Sequence, residues 1–146
     1  MYVDPRGPRF GAALTSVVLA VVLLTGSGWL LAAQAVVFGI GAVAGLRWAP
    51  YGVLFRRLVR PRLAPPAELE AEAPPRFAQG VGLLFAVVGT VGYLAGAPVL
   101  GAVATAMALV AAVLNAAFDV CLGCEVHLRL ARLLGRPLTR YVPTAR

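Results

Sequence analysis

Apolar positions along the chain fall into four blocks, at about residues 10–25, 29–46, 77–95 and 98–120, with almost no charge inside any of them. A helix needs about 20 mostly apolar residues to cross a bilayer, so the blocks predict four transmembrane helices. The breaks after the first and third blocks are short, "TGSG" at residues 25–28 and "GAP" at residues 96–98. Glycine and proline mark tight turns, and Pro98 suits a first helical position, where its missing N–H forfeits no hydrogen bond. Two short turns on either side of one long connection predict an all-α, up-and-down four-helix membrane bundle, one domain over residues 1–146. Gly41 with Gly45, and Gly92 with Gly96, set small residues four apart, the interval at which helix backbones approach closely in lipid.

The first block is short for a span, and "AAQA" at residues 32–35 imitates a signal-peptidase site. The apolar character nevertheless continues through Leu46, and Asp4 with two prolines precedes the block, so the segment is expected to remain as a span.

Between the second and third blocks, "PYGVLFRRLVRP" (residues 50–61) has helical periodicity. Tyr51, Leu54, Phe55, Leu58 and Val59 gather on one arc, with Arg56, Arg57 and Arg60 opposite. This pattern predicts an amphipathic helix over residues 50–60 lying in the membrane interface, its arginines facing anionic lipid phosphates. A short extension of the second span would give the same pattern. The following "LAPPAELEAEAPPRF" (residues 63–77) reads as a proline-bounded acidic tether, exposed and mobile.

Composition sharpens this picture. With 60% hydrophobic and 13% charged residues in 146, the chain has more apolar surface than a soluble domain of its size can hide. The net charge of +7 comes entirely from arginine among the basic residues. In the four-span arrangement every arginine falls on one side: before the first span, in the 47–76 connection, or in the tail after residue 120. That distribution predicts a multi-pass plasma-membrane protein with both termini and the 47–76 loop in the cytoplasm. The charge is thus a topology signal and an attraction to anionic lipid, and it predicts no nucleic-acid partner.

The chemistry concentrates in "NAAFDVCLGCEVHLRL" (residues 115–130), which holds the chain's two cysteines and its one histidine as C-x-x-C-x-x-H. Cys121 and Cys124 can form a dithiol/disulfide couple, with His127 or nearby arginines favouring the thiolate. Such pairs usually gain a low thiol pKa from a helix N-terminus. A continuous fourth helix would deny them that help, whereas a break at Gly123 with a restart at Cys124 would supply it. A reducing cytosol predicts a resting dithiol and makes a structural disulfide unexpected. As metal ligands, Cys121, Cys124 and His127 number three where a closed zinc site takes four, so a metal would require a second copy of the chain. The pair can also be small fillers in a Gly/Ala-rich helix. Asn115 and Asp119 share a helix face just inside the boundary, where a structural ion pair of Asp119 with Arg9, Arg47 or Arg76 is expected. Glu125, Arg129 and Arg132 read as the solvated face of a terminal helix that ends near Gly135 and Pro137.

"VDPRGPRF" (residues 3–10), "PPRFAQGVG" (residues 74–82) and "FDVCLGCE" (residues 118–125), in this order, resemble a family of small uncharacterised membrane proteins. The family is carried as a domain of unknown function and met mainly in actinobacteria. The resemblance implies that both cysteines belong to the family signature, and that partners are thioredoxin-like or rhodanese-like proteins handling thiols or persulfides. The plan is also similar to four-helix thiol-redox membrane proteins of the DoxX or vitamin-K-epoxide-reductase sort. It departs from the latter in placing its cysteines on the cytoplasmic side. Two main functions stay open: a thiol or sulfur relay through Cys121 and Cys124 to a soluble partner, and a non-enzymatic membrane scaffold or subunit, a homo-oligomer among its forms, whose cysteines pack or share a metal. A small-solute transporter ranks third, because few ionisable residues fall at the membrane midplane. No cofactor is assigned by the residues.

Overall fold

The computed structural model describes residues 1–136 and 140–144. Pro137 and Arg146, invoked above for the end of the last helix and for the arginine distribution, lie outside the described residues. Four helices form the bundle: α1 (Arg6–Thr25), α2 (Gly28–Val43), α4 (Ala73–Leu94) and α5 (Pro98–Phe118). A short α3 (Pro50–Leu54) follows α2, and α6 (Leu122–Leu133) follows α5. Helices α1, α4 and α5 are each long and apolar enough to cross a membrane, while α2 is a shorter apolar helix of 16 residues. At 1.5 Å per residue α2 extends about 24 Å, and it stops at Val43 instead of reaching residue 46. Gly45 adopts φ +99°, and Arg76 donates to the carbonyls of Ala42 and Val43 at 3.0 and 2.9 Å. The last carbonyls of α2 are thereby satisfied from α4, which is what lets the helix end there.

Around the bundle, α2 packs on α4, α4 on α5, and α5 on α1. The contacts are made by small residues, because large apolar side chains gain nothing from leaving lipid for a neighbouring helix. Gly92 of α4 meets the Gly101 backbone of α5 so closely that an added Cβ would stand 2.6 Å from the Gly101 nitrogen. Leu19, Val22, Leu31 and Ala86 fill the centre with no exposed surface. Val17, Leu24, Leu84, Val91, Val99 and Val110 instead face outward along the flanks, the pattern expected of a lipid-facing surface. One polar chain crosses the core: the Tyr51 hydroxyl donates to Gln34 Oε1 at 2.7 Å, and Gln34 Nε2 donates to Thr15 Oγ1 at 3.4 Å. A buried amide must find partners, and here the partner ties α3 to α1 and α2.

The predicted helix over residues 50–60 is therefore only partly a surface element. Past Leu54 it widens into a π-turn (Phe55–Val59) and then a 3₁₀ turn (Arg60–Arg62). Phe55 is buried against Phe10, with ring centroids 5.8 Å apart, whereas Leu54 and Leu58 remain exposed beside Arg56, Arg57 and Arg60. The apolar arc is split between the bundle and the outer surface.

The acidic segment departs furthest from its expected form. Residues 68–71 are a strand, not an exposed tether. Antiparallel β1 (Tyr2–Val3), β2 (Glu68–Ala71) and β3 (Tyr141–Pro143) form a three-stranded sheet with β2 in the middle. Tyr2 pairs with Ala71, and Glu70 with Tyr141. Glu70 and Glu72 are buried because each has a fixed partner: Arg140 for Glu70, and the Leu46 N–H, at 3.0 Å from Oε1, for Glu72. Three segments far apart in sequence are thus joined at one end of the bundle, the end where α1 begins and α5 finishes.

Candidate functional site

Helix α5 ends at Phe118, and Asp119 takes a left-handed conformation at φ 59°. Aspartate is one of the few non-glycine residues that visit this region at modest strain. The chain then extends through Val120 and Cys121 before α6 begins at Leu122. Of the two courses left open, a continuous helix and a break at Gly123, the chain takes neither: it breaks at Asp119, and Gly123 has another task. A Cβ on it would sit 2.7 Å from the Ala78 Cα, so glycine is what lets α6 lie backbone-to-backbone against the start of α4.

This restart sets the geometry of the cysteines. Cys121 is the N-cap of α6, with extended backbone, and its Sγ accepts the Cys124 N–H at 3.3 Å. The position normally falls to Ser, Thr, Asp or Asn, whose oxygens satisfy an orphan helical N–H. Both sulfurs face the positive end of a helix dipole, which favours thiolate. Cys121 and Cys124 stand at disulfide distance, with Cα atoms 5.2 Å apart, so the expected dithiol is one that can close to a disulfide in place. That separation lies inside the range a disulfide spans. The start of α6 brings the two thiols together whatever the redox poise of the compartment.

Around this pair the charges form a tight set. Arg140 of the segment leading into β3 reaches Glu70 at 3.0 Å and Glu125, in the first turn of α6, at 3.4 Å. Glu125, read from the sequence as part of a solvated face, is thus held by Arg140. Burial pushes the Glu70 carboxyl above its ordinary range, against the opposing pull of the Arg140 guanidinium. Asp119 pairs with Arg9 at 3.7 Å, both half exposed, while Arg47 lies over the Trp48 ring and Arg76 caps α2. Asn115 takes no part in that pair. His127 packs its ring 5.2 Å from that of Phe77, and its Nε2 is buried without a hydrogen-bond partner among the described residues. Among the described residues no three His, Cys, Asp or Glu side chains are grouped to hold a metal ion.

Cys121 and Cys124 are 6% and 1% exposed. Their open side is a cavity of about 380 Å³ that runs from Arg9 and Asp119 down among α1, α4 and α5. Sequence reasoning found the cysteines by their rarity but missed Glu70, Arg140 and the cavity. The alternation in "ELEA" was the one available sign of a strand that could bring Glu70 and Arg140 together.

Over residues 3–132 the chain matches the family described as Domain of unknown function (DUF4395), and it belongs to that family. No curated protein and no solved structure matches it.

Proposed function

We propose, since membership in a family without an assigned activity leaves function to the site itself, that the protein is a membrane thiol–disulfide relay working through Cys121 and Cys124. The observation that carries this reading is the placement of both cysteines at the first turn of α6, with Cys121 Sγ already accepting the Cys124 N–H. A packing pair in a Gly/Ala helix has no need of a helix start, whereas a reversible dithiol gains thiolate character from one. Cys121, the more exposed of the two, is the sulfur that exchanges with the partner. A partner thiolate attacks Cys121 Sγ of the 121–124 disulfide and displaces the Cys124 thiolate. The partner's second thiolate then attacks the partner sulfur of that mixed disulfide and displaces the Cys121 thiolate, leaving a partner disulfide and the 121–124 dithiol. The same steps in reverse let the dithiol reduce a partner disulfide. The arginines gathered at the same end support a cytoplasmic side for this chemistry, for which a thioredoxin-like or rhodanese-like protein is the fitting partner.

In the purified, reduced protein, Cys124→Ser is expected to trap a mixed disulfide through Cys121 when an oxidised dithiol protein is added. The double Cys→Ser variant should trap nothing, and non-reducing gels read both. If mild oxidant fails to form a 121–124 bond in the reduced wild type, the relay reading is lost and the pair is packing. For sidedness, reporters fused after Gly26 and Gly96 are expected to be exported, and one fused after Arg62 to remain cytoplasmic. An exported reporter at Arg62 would reverse the topology and move the thiols to the oxidising side.

A further inference from the structure

The route by which electrons leave the cysteines follows from what surrounds them. With 6% and 1% exposure, Cys121 and Cys124 are nearly closed to water, and their remaining open side is the cavity among α1, α4 and α5. Its volume of about 380 Å³ falls within the ~300–1,000 Å³ of small-molecule sites. The space exists because Ala12, Gly82, Ala108 and Ala111 stand where larger side chains would close it, with Phe38 and Phe85 as flat apolar walls. Met107 lines the cavity and is also 54% exposed on the apolar flank of α5, so the cavity borders the lipid-facing surface.

Two carboxamides interrupt these walls. Gln79 and Asn115 both line the cavity, and neither side chain makes a hydrogen bond among the described residues. Gln34, the amide used by the fold, has two such bonds. Amides left free in an apolar wall are suited to a ligand that is itself apolar but carries hydrogen-bonding oxygens. A charged ligand would meet too few counter-charges in the depth of the cavity, and a plain acyl chain would leave both amides unsatisfied.

Resting on the relay reading above, we propose that this cavity binds a lipid-soluble quinone, which accepts the electrons of the Cys121–Cys124 dithiol. The step balances: the two thiols lose two electrons and two protons as the S–S bond forms, and the quinone gains both at its carbonyl oxygens to become the hydroquinone. Gln79 and Asn115 donate hydrogen bonds to those carbonyls, and the apolar walls hold the ring against the sulfurs. Electrons then run from a soluble dithiol protein, through the cysteine pair, into the membrane's quinone pool.

The test uses the full chain in nanodiscs, reduced and freed of reductant under anaerobic conditions, with decyl-ubiquinone as the probe and diamide as a water-soluble control oxidant. Quinone reduction is expected at one equivalent per chain, together with formation of the 121–124 bond. Ala111→Phe, which fills the cavity, and Asn115→Leu, which removes an amide at similar volume, are each expected to slow quinone reduction by at least about tenfold, the equivalent of one lost hydrogen bond. Asn115→Leu, which keeps the cavity open, should leave oxidation by diamide at the wild-type rate, which also shows that this variant has kept its fold. If diamide oxidises the wild type and decyl-ubiquinone does not, the quinone site is refuted while the relay stands. If both variants reduce the quinone as fast as the wild type, the electrons leave by another route and the cavity assignment fails. If neither oxidant closes the bond, the relay and the quinone site fall together.

Discussion

Replacing Gly123 by valine is expected to pry α6 from α4 and expose the cysteines. The reason lies in backbone contact: a Cβ at residue 123 would stand 2.7 Å from both Cα and Cβ of Ala78. No rotamer change relieves a clash with a Cα, so α6 must shift as a body. Overpacking of this kind costs about 1–3 kcal/mol, and here it falls on the element that positions both sulfurs. After reduction, Cys124, 1% exposed in the native chain, should become reactive toward a bulky maleimide in the variant. Gly80→Val is the matched control, because nothing lies within 4 Å of a Cβ at that position. Equal labelling of the two variants would show that α6 is not held by this contact.

The second large effect is expected from Arg140→Ala. This change leaves Glu70, 3% exposed, without its partner at 3.0 Å, and removes the tie to Glu125. Stranding one member of a buried pair is more damaging than deleting the pair, and a loss of about 2–3 kcal/mol in detergent unfolding follows for this partly exposed arginine. The double variant Glu70→Gln with Arg140→Met should recover most of it. The pH dependence separates this from a simple loss of packing. Burial already raises the Glu70 carboxyl above its ordinary value of 4.5, and removing Arg140 leaves that effect unopposed. A raised folded-state value means that the favourable contribution is complete below about 4.5 and disappears as pH rises through the folded value. The Arg140→Ala deficit should therefore shrink on acidification. A deficit that is the same at pH 4 and pH 8 would show that the guanidinium acts through its apolar stem alone.

Much of this architecture could be read from the chain, for identifiable reasons. Apolar blocks and Gly/Pro turns report directly on spans, because lipid makes the demand uniform along each helix. The ends of those spans were less legible. Helix α2 stops at Val43 because Arg76, 33 residues onward, satisfies its carbonyls, and no local signal encodes a distant cap. The break after α5 falls on Asp119, which carries no glycine or proline mark, so Gly123 was the one break the sequence offered to weigh against a continuous helix. The strands are two to four residues long, and the middle one is acidic, which reads as a solvated linker until Arg140 is known to stand beside it. For the site, rarity and spacing pointed to Cys121 and Cys124. The cavity beside them could not be foreseen, since the small residues that create it are indistinguishable in sequence from those that merely let helices touch.

The sheet also has a consequence for how the molecule is made. Its pairings join Tyr2 to Ala71 and Glu70 to Tyr141, contacts of very high sequence separation compared with those inside the helical hairpins. Such long-range closure comes late, because its entropy is repaid only once intervening segments are in place. During synthesis the spans can enter the membrane and pair as hairpins well before residue 140 leaves the ribosome. Until then Glu70 lacks its guanidinium and α6 lacks the tie through Glu125, so the cysteine end stays open. Biogenesis therefore provides an interval in which Cys121 and Cys124 stand uncovered, before the last-synthesised strand completes the cover.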